Sequence, residues 1–85
     1  MTGMEIAQLA KQRLVEVTGL KPDTVSGLSK DTDGWHIDVD MIQLKRVPDA
    51  SDVLATYEAV LDEQGALLRY ERIRRYLRGD LSEES

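Results

Sequence analysis

The 85-residue chain has no cysteine and no phenylalanine, and only one tryptophan, three tyrosines and one histidine. Without cysteine there are no disulfide cross-links, no thiolate metal sites and no cysteine nucleophile, a composition that suits a reducing compartment. With so few aromatic residues the core has to be aliphatic. Long apolar runs are missing as well: VLAT and ALL fall far short of the roughly 20 residues a membrane-spanning helix needs. The opening MTGMEIAQLAKQRL carries Glu5 early and lacks the charged-then-apolar pattern of a secretory signal. These absences point to a soluble cytoplasmic protein. A chain of this length buries only about 60–65% of its unfolded surface, too little to enclose a deep active site.

What is present is a clear alternation of patterns. Ile6, Leu9, Ala10, Leu14 and Val17 recur at helical spacing, with Glu5, Gln8, Lys11, Gln12 and Glu16 on the other side, and predict an amphipathic helix over 4–18. Thr2 stands at the cap position and Gly19 where a left-handed C-terminal residue belongs. KPDT reads as a turn, and TVSGLSK as a weak strand interrupted by glycine. In TDGW the Asp33-Gly34 pair predicts a hairpin, because both residues tolerate positive φ. Beyond it Trp35, Ile37, Val39 and Met41 alternate with His36, Asp38 and Asp40, a half-buried strand with Trp35 inside.

RVPDASD is the main loop, where Pro48 bars a central strand position and Asp49, Ser51 and Asp52 favour turns or a helix cap. VLATYEAVLD fits two periods. Val53, Leu54, Tyr57 and Leu61 suit a helix; Val53, Ala55, Tyr57, Ala59 and Leu61 suit a strand. The strand is the better reading, since DEQG after it has the form of a type I turn with Gly65 left-handed. ALLRYERIRRYL returns as the last strand. The fold class is therefore α+β, an N-terminal helix packed on one face of a four-stranded antiparallel meander. Residues 1–79 make one domain and 80–85 (DLSEES) an acidic, disordered tail. One feature resists this scheme: Ile42, Leu44, Leu54 and Val60 are out of phase with the core-facing sets. Either a β-bulge returns them to the core or they form a patch that wants a partner.

The chain is acidic, at formal net charge −5, yet LRYERIRRYLRG (68–79) holds five of its eleven cationic residues and one carboxylate. In an extended chain Tyr70, Arg72, Arg74 and Tyr76 share one face, and Arg69, Glu71 and Arg75 the other. Cross-strand pairing with Glu58, Asp62, Asp38 and Asp40 accounts for part of this charge, at only about 0–1 kcal/mol per exposed pair. The Arg-Tyr composition is also that of interface hot spots, which makes an acidic protein segment the fitting ligand. Nucleic acid fits less well, because the net negative charge repels a polyanion at long range.

No catalytic, cofactor or metal site emerges. Asp31-Thr32-Asp33-Gly34 starts like a calcium loop, but its twelfth position is Ile42 rather than a glutamate. A turn and a solvated face explain Asp31, Asp33, Asp38 and Asp40 better. His36 alternates onto the outer face beside Asp38, as a polar surface residue. There is no glycine-rich phosphate loop and no nucleophile elbow. The chain reads as a non-enzyme.

The combined pattern resembles one family. DGW opening an acidic–apolar strand, RVPD-x-x-DVLA-x-YE, LD-x-x-G-x-L-x-x-Y-x-R-x-x-RY-x-RG, and a helix ending in VTGL are similar to the gas vesicle protein O family, over about residues 5–79. The sequence differs at Gln43, where such proteins tend to carry a glutamate, and the family's longer charged N-terminal extension is nearly absent. The resemblance implies an accessory protein for assembly of gas-filled protein shells, with no enzymatic activity and no cofactor. It implies other gas vesicle proteins as partners, whether shell subunit or accessory proteins, and a place in the cytoplasm or on the vesicle. On the residues themselves, Tyr70, Arg72, Arg74 and Tyr76, with Leu54 and Val60 nearby, form the candidate partner face. A homodimer through the second sheet face and a small nucleic-acid-binding or regulatory module using the arginine strand are the alternatives.

Overall fold

The computed structural model describes residues 2–48 and 51–79. One helix, α1 (Gly3–Thr18), precedes four strands: β1 (Lys21–Asp31), β2 (Gly34–Leu44), β3 (Val53–Leu61) and β4 (Leu67–Leu77). The strands form one antiparallel sheet in the order β1-β2-β3-β4, and α1 covers one of its faces. This is the α+β meander expected from the pattern. Asp49 of the main loop and the acidic tail from Asp80 onward lie outside the described residues.

A capping box starts α1: Thr2 Oγ1 accepts from the Glu5 N–H at 3.2 Å, and Glu5 Oε1 accepts from the Thr2 N–H at 2.8 Å. Such a cap stabilises a helix by about 1 kcal/mol. Gly19, at φ 74°, ends it in the left-handed conformation and donates to the Val15 carbonyl. Ile6, Ala10 and Leu14 are fully buried against Ile37, Val39, Met41, Ala59 and Leu61 of the sheet. Val17, expected inside, is 44% exposed. The buried row advances in steps of four and reaches Thr18 instead, whose hydroxyl donates to the Leu14 carbonyl at 2.6 Å.

Two local expectations are corrected by the strands. KPDT is not a turn but the start of β1. Pro22 is tolerated there because β1 is an edge strand, and register shifts at Asp23 and Ser26 mark two bulges. The hairpin turn is Thr32-Asp33, closed by the pair Asp31 and Gly34, so Asp33 does not take positive φ. Gly34 alone does, at φ 139°, and a Cβ on it would fall 2.4 Å from the Leu61 carbonyl oxygen. Glycine is required there by backbone approach as well as by backbone angle. At the other hairpin Gly65 (φ 87°) donates to the Asp62 carbonyl, and Asp62 Oδ1 accepts from Gln64 and Ala66, as the DEQG reading anticipates.

Residues 53–61 are a strand. Their two competing periods arise because β3 is paired on both sides and buried along most of its length, so apolar residues crowd both faces. A third irregularity, at Gln43, shifts Leu44 into register with Val53 on the helix side. Ile42, Leu54 and Val60 stay on the face without a helix. There Leu54 and Val60 are only 2% and 1% exposed. Arg78, just past β4, reaches across this face to Asp23 in β1 at 3.4 Å.

Candidate partner interface

The register places His36, Asp38 and Asp40 of β2 opposite Val60, Glu58 and Thr56 of β3, all on the face away from α1. This face closes on itself through polar contacts. At one end the Asp52 carboxylate, fully buried, accepts from the Arg46 N–H at 2.8 Å, Lys45 Nζ at 3.0 Å and Arg78 Nε at 3.1 Å. The Arg46 amide first, then Lys45 and Arg78, hold its pKa below the usual carboxylate range against the pull of burial. Arg78 also forks onto Asp23, tying loop, β1 and the end of β4 together. In the middle, Asp40 accepts from Thr56 Oγ1 at 2.6 Å and from the Tyr76 hydroxyl at 2.9 Å. Burial and the Asp40 carboxylate push the Tyr76 phenol up to about 12. Beneath these long side chains Leu54 and Val60 lose their water.

At the other end a ladder crosses three strands and a turn. Glu58 Oε2 meets His36 Nδ1 at 3.2 Å, His36 Nε2 meets Asp33 Oδ1 at 2.9 Å, and Asp33 Oδ2 accepts from Arg69 Nη2 at 3.1 Å. Hydrogen bonds to Asp33 and then Glu58 raise the His36 pKa, and Asp33 is lowered by His36 and then Arg69. His36 is therefore a structural link rather than an isolated surface residue. Asp31, Asp33 and His36 bring three ligand atoms within 4.8 Å of one another. In the structure the Asp33 and His36 atoms are occupied by this ladder. Asp38 stands apart, its pKa raised by burial and by the neighbouring Glu58 and Asp40. Every buried side-chain polar atom of the described residues has a hydrogen-bond partner.

The arginines of β4 find partners other than those expected from strand neighbours. Glu58 is taken by His36 and Asp62 by its own turn. Arg69 pairs with Asp33, Arg74 lies over the Tyr76 ring at 4.9 Å and reaches Thr56 Oγ1, and Arg75 Nε donates to Gln43 Oε1 at 2.8 Å. Arg72 makes no ion pair with any described residue.

The six-residue candidate face is also divided. Tyr70 pairs with Ala59 and Arg72 with Tyr57 on the helix side, but Ile73 is bulged out of register, so Arg74 (opposite Thr56) and Tyr76 (opposite Leu54) point to the open side. Leu54 and Val60 lie under that open side, buried. A bulge shifts the alternation by one residue, and nothing in RYERIRRY announces it. On the helix side of β4 a different strip is exposed, Tyr70 at 43% and Leu77 at 46% with Arg72 and Arg75 between them, and the bulged Ile73 that follows Arg72 is 48% exposed. The Tyr57 and Tyr70 rings meet tilted at 41°, with centroids 6.4 Å apart.

Two surface clefts among the described residues offer no reactive arrangement. One of about 380 Å³ is lined by Glu5, Gln8, Leu9 and Gln12, and another of about 440 Å³ by Gly19, Leu20, Lys21, Ile42, Gln43 and Lys45. Neither joins a nucleophile to a base. No helix of the described residues is long and apolar enough to cross a membrane.

The sequence profile of the family described as Gas vesicle synthesis protein GvpO matches residues 1–82. The chain belongs to the gas vesicle protein O family. It is 42% identical over 76 residues to Gas vesicle protein O of Streptomyces sp. (strain CB03234), covering 89% of this chain and 59% of that protein. It is 42% identical over 52 residues to Gas vesicle protein O of Haloferax mediterranei, and 40% over 52 residues to Gas vesicle protein O1 of Halobacterium salinarum. Each of these alignments covers 61% of this chain, and they cover 37% and 44% of the two relatives. The chain thus spans between about a third and three-fifths of the length of these relatives. No solved structure matches it significantly. A family of gas vesicle synthesis proteins is not a class of enzymes, and membership supports a role in gas vesicle formation.

Proposed function

We propose that this chain is a non-enzymatic accessory protein that assists gas vesicle assembly in the cytoplasm through contacts between β4 and another gas vesicle protein, either the shell subunit or a second accessory protein. The observation that carries the reading is the helix-side strip of β4, where Arg72 has no counter-ion among the described residues and lies between exposed Tyr70 and Leu77, next to the exposed, bulged Ile73. Arginine with tyrosine on a desolvatable apolar base is a combination that anchors protein interfaces. The remaining arginines are largely committed within the fold, which weighs against a nucleic-acid role. The acidic total of the chain weighs the same way.

Deleting the chain from an otherwise complete gas vesicle gene cluster should abolish light scattering that disappears on a collapsing pressure pulse, and complementation should restore it. Arg72→Glu and Tyr70→Ala should each fail to complement. Full complementation by both variants would remove β4 from the mechanism.

A further inference from the structure

The two edges of the sheet differ in what they permit. β1 carries Pro22, which has no N–H to offer, and bulges at Asp23 and Ser26, all features that discourage another strand from pairing. β4 has register shifts of its own at Leu68 and Ile73, but it runs for 11 residues without proline or glycine, so every N–H is kept, and its outer backbone groups face no strand of the described residues. It carries four arginines and one glutamate. Arg72 has no ion-pair partner among the described residues, and the Arg75 partner, Gln43, is neutral and leaves that charge uncancelled. Tyr70 and Leu77 add apolar surface on the same side.

Resting on the β4-contact reading above, we infer that this free edge accepts an additional β-strand from a partner protein, an extended segment that presents apolar and acidic side chains on one face. Its backbone completes the ladder along β4, its apolar side chains lie on Tyr70 and Leu77, and its carboxylates meet Arg72 and Arg75. Main-chain pairing supplies affinity in such strand addition, and the side chains supply choice. A second copy of this chain is the poorer occupant, because β4 against β4 brings two arginine-rich strands together.

The probe is the peptide acetyl-Leu-Thr-Glu-Thr-Glu-Thr-Leu-amide, titrated into isotope-labelled full-length protein. Binding should slow hydrogen exchange at the β4 amides that face away from β3. Changing both glutamates of the peptide to lysine should abolish binding, and Arg72→Glu in the protein should weaken it about tenfold. The same peptide with every backbone nitrogen methylated keeps its side chains but cannot pair as a strand. If it binds equally well, or if the outward β4 amides stay unprotected, strand addition is wrong while the contact surface survives. Loss of the contact reading is seen separately, as full vesicle complementation by Arg72→Glu. A concentration-dependent dimer that protects the same amides without peptide would assign the edge to a second copy and overturn the inference.

Discussion

The two faces of this sheet are buried by different physics. On the helix side, Ile6, Ala10 and Leu14 meet Ile37, Val39, Met41, Ala59 and Leu61 in an aliphatic core. Its stability comes from removing apolar surface from water and from close packing. On the open side the described residues supply no second layer. Leu54, Val60 and Thr56 are nevertheless buried, on a face closed by Asp23, Arg78, Asp52, Asp40 and Tyr76 at one end and by Glu58, His36, Asp33 and Arg69 at the other. The first face is insensitive to charge; the second depends on it. A face so fully engaged with itself is a poor docking surface, whereas the rim of β4 keeps exposed Tyr70 and Leu77 beside Arg72.

Truncating one leucine on each face tests that contrast most strongly. Leu14→Ala should cost about 3 kcal/mol, because the helix-side core cannot collapse around the cavity. Leu54→Ala should cost less, about 2 kcal/mol, since the flexible polar side chains above it can settle into the space. Urea denaturation midpoints measure both. Equal losses would mean that the open side is a second rigid core, and the contrast would fail.

The helix-side face was legible in the sequence because its two periods, steps of three and four in α1 and of two in β2, are written directly in the residue order. The open face was legible only in part. His36, Asp38 and Asp40 announce an outward polar row, but the burial of Asp52 depends on Arg46, Lys45 and Arg78, which are brought to it by the loop and by the last strand. Bulges hid the rest. Moving Ile73 out of register separates Tyr70 and Arg72 from Arg74 and Tyr76, and moving Gln43 sends Leu44 to the helix side while Ile42 stays behind. Both displacements follow from pairing between distant segments, which periodicity along one segment does not contain.

Breaking the network at its most buried carboxylate comes next in size. Asp52→Ala leaves Arg78 Nε and the Arg46 amide without their acceptor and should lower the denaturation midpoint roughly half as far as Leu14→Ala. A loss no larger than that of a neutral surface substitution would show that the loop is held by other contacts. The ladder at the other end should instead be read by pH. His36 is raised above its ordinary 6.5, so its contribution is fully present below about pH 6.5 and is lost as pH rises through the raised value. Stability should therefore fall across that window in the wild type and stay flatter in His36→Gln. In acid, Asp33 and Asp52, both held below 3.8, contribute above that pH and lose their contribution as pH falls through their lowered values. Asp38, raised above 3.8, has the opposite sign and opposes folding at neutral pH. Parallel slopes for wild type and His36→Gln above pH 6.5 would place the pH dependence elsewhere.

The smallest effect on folding separates the two faces of β4 most sharply. Arg72 has no ion-pair partner within the described fold, so Arg72→Glu should change stability by no more than about 0.5 kcal/mol while removing function. Arg69, three residues earlier, points to the open side and holds Asp33 at 3.1 Å. Arg69→Glu sets like charges together beside His36 and should lower stability measurably at pH 7, yet leave the helix-side strip as it is. The two charge reversals are identical in chemistry and differ only in the face they occupy. If vesicle formation fails with Arg72→Glu and survives Arg69→Glu, the contact lies on the helix side of β4. If the pattern is reversed, the partner reads the open face, and the network there opens to receive it.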